Sequence, residues 1–263
     1  VTECAQFGKD ATYIDPNTGL PAILNDRPPL ALRGQAATPG SDTPYSFTVV
    51  ANHLRSLNDI DDPASGNRVR TKRLAQANFA AALLQDLQNA NTISVGDYNA
   101  FQFNDGYVDV MGSITGNPAP PGTAFLTGAD FVNPNYTNLT NSVSPANSYS
   151  FVFAGSAQTL DHVLVNQRVL PRVSRYGVAR LNADFPETYR SDENRPERIS
   201  DHDVPVVFLR LPVEITSSVA ITSSPVNYNA GQQYYMANLQ VKNATAAPLP
   251  NPFYVVLEGL APS

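Results

Sequence analysis

Several apolar runs in this chain stop abruptly at clusters of acids, amides and imidazoles, and this termination constrains the fold more than any other feature. Residues 45 to 52 alternate and then run apolar as a buried strand does, ending at His53. Ile93-Ser94-Val95 reads as a second, short strand that stops at Gly96, so Asp97 and Asn99 emerge on the turn at a spacing of two and point the same way. Ala157 to Asn166 carries Asp161, and Val204 to Leu211 follows Ser200-Asp201-His202-Asp203. Between the first two strands, Arg68 to Gln88 predicts an amphipathic helix with Leu74, Ala77, Ala81, Leu84 and Leu87 along one face. Strands that each hand a polar cluster to one rim describe a sheet with its ligands at strand ends.

The remaining chain is punctuated by turns. An Asp-rich loop spans Asn58 to Asn67, and Gly112 to Ser148, rich in Pro, Gly and Asn, reads as an extended loop. Tyr149 to Phe153 and Ala157 to Asn166 are expected to pair. After Pro212 the texture changes: Val219-Ala220-Ile221, Tyr234 to Val241 and Phe253 to Leu257 predict strands of a small all-β module over 213–263, separate from a larger portion over 1–212.

Composition narrows the class. Charged residues make up only 15% of 263, with 17 Lys and Arg, while Asn, Thr, Ser, Pro and Tyr are abundant, as in β-rich secreted proteins. The single Cys4 leaves two readings open, a pairing outside this chain or a lone buried thiol. A net charge of −6 argues against a general polyanion binder, although a local basic patch can override it. The one basic cluster, Arg68, Arg70, Lys72 and Arg73, is expected on a solvated helix face in preference to a phosphate-contacting strip. No apolar run of 18 residues or more exists, so no membrane span is expected.

Four motifs in one order, Asn52-His53-Leu54-Arg55-Ser56, Gly96-Asp97-Tyr98-Asn99-Ala100-Phe101, Leu160-Asp161-His162-Val163-Leu164 and Ser200-Asp201-His202-Asp203, resemble the endonuclease/exonuclease/phosphatase superfamily, in particular its secreted bacterial nucleases. The resemblance covers roughly residues 1 to 212. It implies a deoxyribonuclease-like α/β sandwich of two packed mixed β-sheets flanked by helices. Family members begin with a strand carrying an Asn and a strand ending in a Gln-Glu pair whose Glu holds the metal, and no such pair precedes His53. The resemblance therefore implies the C-terminal half of the domain, with the N-terminal half absent, and an association with a chain or segment that supplies it. Tyr235 to Thr245 further resembles a short immunoglobulin-like C-terminal module of secreted bacterial proteins.

The same resemblance assigns roles. Asp161 and His202 would form the acid/base dyad, Asp97 would orient the attacking water, and Asn99 and His53 would stabilise the charge on phosphorus. Asp201 would be the metal carboxylate, holding Mg²⁺, or Mn²⁺ or Ca²⁺, together with a phosphate of a nucleic acid substrate. His162, next to Asp161 on a strand, points to the other face and reads as structural. Asp105 either supports the site or makes an ordinary Asp-Gly turn. The implied function is a secreted, divalent-metal-dependent phosphodiesterase hydrolysing DNA or RNA. The alternatives are a phospholipid or nucleotide phosphodiesterase, and a non-catalytic surface or filament protein that keeps a relic half-site.

Overall fold

Alternation shapes the first half of the chain into strands: β1 (Glu3–Gln6), β2 (Thr12–Ile14), β3 (Pro21–Ile23), β4 (Leu30–Ala36) and β5 (Tyr45–His53), followed by α1 (Gly66–Asp86) and β6 (Thr92–Asp97). Then come β7 (Val108–Asp109), α2 (Val110–Thr115), β8 (Leu126–Thr127), β9 (Thr137–Asn138) and the one-turn α3 (Pro145–Ser148). β10 (Phe151–Phe153), β11 (Ser156–Gln158), β12 (Asp161–Val165), β13 (Val173–Ala179) and β14 (Val204–Leu209) complete this part. The structure, a computed structural model, describes residues 1–38, 43–211, 213, 215–249, 253 and 255. Two units separate by contact density: Val1–Ala36 with Pro44–Leu211, and Ala37–Thr43 with Pro212–Ser263.

The first unit is mixed α/β. Its main sheet has six strands in the order β1-β4-β5-β6-β12-β9. Only β5 and β6 are parallel within it, and α1 makes the crossover that a parallel pair needs. α1 begins two residues earlier than its apolar periodicity predicts, because Asp62 Oδ1 accepts hydrogen bonds from the Ala64 and Ser65 N–H groups and sets the turn that enters it.

Side-chain alternation along β12 splits the core in two. Leu164 joins Val50 and packs under Ala77, Ala81 and Leu84 of α1 and Met111 and Ile114 of α2. Val163 and Val165 face the other way with Ile93, against Tyr176 and Val178 of β13 and Val207 and Leu209 of β14. Each fully buried aliphatic side chain contributes about 1.5–3 kcal/mol. A sheet covered by helices on one face and by the β13–β14 ladder on part of the other is thereby held from both sides.

The structure departs from several expectations. Ala157 to Asn166 is not one strand: its first part closes a hairpin with β10, and the chain then breaks at Thr159-Leu160 so that β12 inserts between β6 and β9. The Pro/Gly-rich segment opens inside a helix, α2, which is capped by Asp109 Oδ1 on the Gly112 N–H and ended by Gly116 at φ 80°. The basic cluster is not a solvated face. Arg73 is buried, donating to the Arg55 carbonyl, and Lys72 is held by Asp26 at 2.8 Å. Cys4 is exposed, which excludes the buried-thiol reading.

Among the described residues, the second unit contains β15 (Val219–Ser223) paired with β18 (Leu239–Asn243), and β16 (Asn227–Asn229) paired with β17 (Tyr234–Met236). The expected strand Tyr234 to Val241 divides in two because the Asn238 N–H and carbonyl both turn to Ser224. The expected strand Phe253 to Leu257 lies outside the described residues.

Candidate active site

His53, Asp97 and Asp161 form one transverse row. His53 and Asp97 are register partners at the C-terminal ends of parallel β5 and β6, and Asp97 is in turn opposite Asp161, the first residue of antiparallel β12. Register partners share a face, so the three side chains leave the sheet together. One step inward stands Gly96, at φ 127°, where a Cβ would lie 2.1 Å from the Asn52 carbonyl oxygen. Only glycine lets β5 and β6 approach this closely at the rim.

A fourth group arrives from the loop before β14. His202 Nδ1 lies 2.6 Å from Asp161 Oδ2, and the Ser150 hydroxyl donates to the same oxygen at 2.6 Å. Ser150 also accepts from the Asp161 N–H, and its carbonyl accepts from the Asp203 N–H, so one residue ties β12 to the His202 loop. Asp203 secures that loop from inside. Its buried carboxylate accepts from the Leu181, Asn182 and Ala183 N–H groups and from Arg180.

The electrostatics follow from this crowding. Burial and then the charge of Asp161 push the Asp97 carboxyl up to about 6, against the Asn99 N–H, His202 and Arg27. Burial lowers the His202 imidazolium, but the hydrogen bond and charge of Asp161, helped by Asp97 and Asp201, outweigh it and hold the ring above its ordinary value. His53 goes the other way, lowered by burial and by the Arg27 guanidinium that lies against its ring, with Nη1 2.6 Å from Nδ1. Its Nε2 is 3.4 Å from Asp97 Oδ2. A neutral, a protonatable and two acidic groups thus meet at one partly exposed rim.

Other expected site residues are placed differently. Asn99, in the left-handed region at φ 48°, turns its amide inward, donating to Asp97 Oδ2 at 3.0 Å and to the Leu54 carbonyl at 3.0 Å. With both amide protons used, it positions Asp97. Asp201 pairs with Arg190 at 3.0 Å and stands outside the converging ligand atoms, because the guanidinium offers it a partner on its own surface loop. His162 is fully buried: its Nε2 donates to the Ala100 carbonyl at 2.8 Å, and its Nδ1 accepts from Asn138 at 3.0 Å. Asp105 makes the turn, accepting from the Tyr107 and Val108 N–H groups.

Three contributors escaped the sequence reading. Arg27 ends the polar run Asn25-Asp26-Arg27, which no site motif includes, and only the β4 to β5 pairing brings that part of the chain beside His53. Ser150 stands ten residues or more from every motif. Phe151 stacks on the His202 ring, with centroids 4.5 Å apart and planes at 26°.

The donor set fits a hard divalent cation. Atoms of Asp97, Asp161 and His202 lie within 4.8 Å of one another, the one such group among the described residues. Two carboxylates whose proximity disfavours ionisation of one of them are relieved by a shared cation, and Mg²⁺ binds through one or two carboxylates while keeping its waters.

No family model matches the sequence, and no curated protein matches it. Similar solved structures include an AP endonuclease from Archaeoglobus fulgidus, with a TM-score of 0.39, 12% identity, and 68% of this chain and 73% of that one covered. The 3′ phosphatase NExo from Neisseria, bound to a product DNA hairpin, gives a TM-score of 0.39 at 12% identity over 69% of this chain and 70% of that one. An endonuclease/exonuclease/phosphatase family protein from Bacteroides thetaiotaomicron gives 0.37 at 17%, over 68% and 53%. Likenesses this distant say nothing about activity, and the chemistry rests on the geometry above.

Proposed function

We propose that this chain is a divalent-metal-dependent phosphodiesterase that acts on nucleic acid outside the cell. The observation that carries the reading is the row His53–Asp97–Asp161 closed by His202, with a carboxylate on one ring nitrogen of the imidazole and a second carboxylate beside it. Phosphoryl transfer asks for charge stabilisation and proton movement more than for covalent chemistry, and these groups supply both.

Asp161 fixes the His202 tautomer through Nδ1 and leaves Nε2 to exchange a proton at the scissile phosphate. Asp97, held in place by the Asn99 amide, orients and polarises the attacking water. Arg27 and neutral His53 meet the negative charge that builds on the phosphorus oxygens. A cation bound by Asp97 and Asp161 would act as a Lewis acid on a phosphate oxygen. Secretion is supported by the low charge content and the Asn-, Ser- and Thr-rich composition. Among the described residues no helix is long and apolar enough to cross a membrane.

The test is hydrolysis of bis(4-nitrophenyl) phosphate and of DNA by the full chain with Mg²⁺, Mn²⁺ or Ca²⁺, together with calorimetric titration of Mg²⁺. Asp97→Asn and Asp161→Asn are expected to weaken Mg²⁺ binding and hydrolysis together. If the protein hydrolyses no phosphodiester with any of the three ions, the enzymatic reading fails and a non-catalytic surface protein takes its place.

A further inference from the structure

Beyond the catalytic row, rings are stacked outward from His202 into solvent. The His202 imidazole stacks on Phe151, and Phe151 stacks on Phe153 at 6.4 Å with planes at 21°. Phe153 ends the column with 61% of its surface exposed. Both phenylalanines sit on β10 two residues apart, hence on one face, and pairing of Phe151 with Gln158 and of Phe153 with Ser156 holds them there. A two-residue turn at Ala154 (φ 48°) and Gly155 (φ 80°) closes the hairpin tightly, so the rings are presented on a short ladder and not on a loose loop. A second pair, Phe101 and Phe103, lies on the segment that leaves Asn99. Its rings are 5.2 Å apart and within 8° of parallel, and Phe103 is 60% exposed.

A net charge of −6 disfavours the broad phosphate contact from which a duplex binder draws its affinity. The chain is acidic overall, and Arg55, Lys72, Arg180, Arg190 and Arg198 are each committed to a carboxylate. Stacking is the interaction the rim does offer, and it is tolerant of sequence because every base has a π-face. Bases inside a duplex already stack on one another and are out of reach of such a column.

Resting on the phosphodiesterase reading, we propose that Phe151 and Phe153 form a base-stacking subsite and that the substrate is single-stranded nucleic acid, with an unpaired base on the Phe153 ring and its neighbouring phosphate at His202. Phe151 is a positioning residue for His202, and Phe153 is the specificity determinant.

The experiment compares a short single-stranded oligonucleotide with the same oligonucleotide carrying abasic sites around the scissile bond, in the wild-type chain and in Phe153→Ala. Because Phe153 is exposed, its truncation leaves the core intact. The wild type is expected to show a lower KM for the base-bearing substrate, and Phe153→Ala to lose about 5- to 100-fold of that preference, with kcat for the two substrates nearly equal. A binding readout without turnover uses an oligonucleotide bearing 2-aminopurine, with EDTA present: stacking quenches its fluorescence on the wild type, and Phe153→Ala abolishes the quench. Equal KM for both substrates, or an undiminished quench in the variant, overturns the subsite. If the wild type hydrolyses neither substrate, the phosphodiesterase reading fails, and the quench still decides whether the column binds bases. Loss of binding to phosphatidylcholine vesicles in Phe153→Ala, with oligonucleotide binding unchanged, would make the column a membrane contact and also overturn the proposal.

Discussion

His162 and His202 sit near the same end of the same sheet, one beside Asp161 in the chain and the other beside it in space, and their surroundings make them opposites. His162 is buried, and burial pushes its imidazolium down to about 4, against the Ala100 carbonyl and the charge of Asp161. His202 lies at the rim with its side chain 22% exposed, and Asp161 holds it above its ordinary value. The alternation of β12 makes the difference: Asp161 leaves on the rim face, and the next residue is carried into the helix-side core. One imidazole is fixed neutral as a structural hydrogen-bond node, and the other is left able to move a proton.

The largest expected effect that would break this contrast is catalytic. His202→Ala is expected to lower kcat on a phosphodiester by about 10²- to 10⁴-fold with the thermal midpoint nearly unchanged, read by steady-state kinetics beside circular dichroism. His162→Ala should do the reverse. It empties a packed site and strands the Ala100 carbonyl and the Asn138 amide, costing about 2–5 kcal/mol in urea unfolding while the remaining folded molecules turn over. A stable but inactive His162→Ala protein would abolish the distinction.

The two rings should also give stability opposite slopes with pH. For His162 the folded value, about 4, is below the unfolded value near 6.5, so the unfolded chain binds more protons between them and stability falls as pH drops through that window. Its share is about 3 kcal/mol. His202 is raised in the fold, so its contribution is present below the unfolded value and is lost as pH rises through the folded one. Urea midpoints from pH 4 to 8, in the wild type and in His162→Gln, separate the two, and an unaltered acid slope in His162→Gln would show that the assignment is misplaced.

A smaller effect concerns Asp97. Its carboxyl, raised to about 6, must lose its proton to ligate a cation, so Mg²⁺ affinity should weaken about tenfold for each pH unit below 6, and this dependence should vanish in Asp97→Asn. Titration calorimetry at pH 5, 6 and 7 reads it. Smallest of all is Asp201→Asn. The Arg190 pair is half-exposed and worth at most about 1 kcal/mol, and Mg²⁺ affinity should stay as it was. A large loss of Mg²⁺ binding in that variant would return the metal to Asp201.

Much of the architecture was legible because it is local. The alternation of residues 45–52, the helical period after Asn67 and the run from Val204 locate β5, α1 and β14 within a few residues. β13 went unread because Val173–Ala179 is interrupted by Ser174, Arg175 and Gly177, and it is a strand chiefly because β14 pairs with it. The basic cluster was misread for a similar reason. Helical periodicity cannot foresee that the Arg55 carbonyl and Asp26 will be waiting inside for Arg73 and Lys72.

By itself, the sequence determined which residue types stand at the ends of which strands, since apolar alternation and the glycine before Asp97 depend on neighbours a few residues away. Only the tertiary structure decided which of those groups meet. Strand order and register, set by burial on two faces at once, put His53, Asp97 and Asp161 in one row and brought Arg27 and Ser150 to it. The same packing left Asp201 with Arg190 and Asn99 with its amide turned inward. A carboxylate becomes a metal ligand, a cap or a surface charge according to the donors within about 3 Å of it, and those donors come from distant parts of the chain.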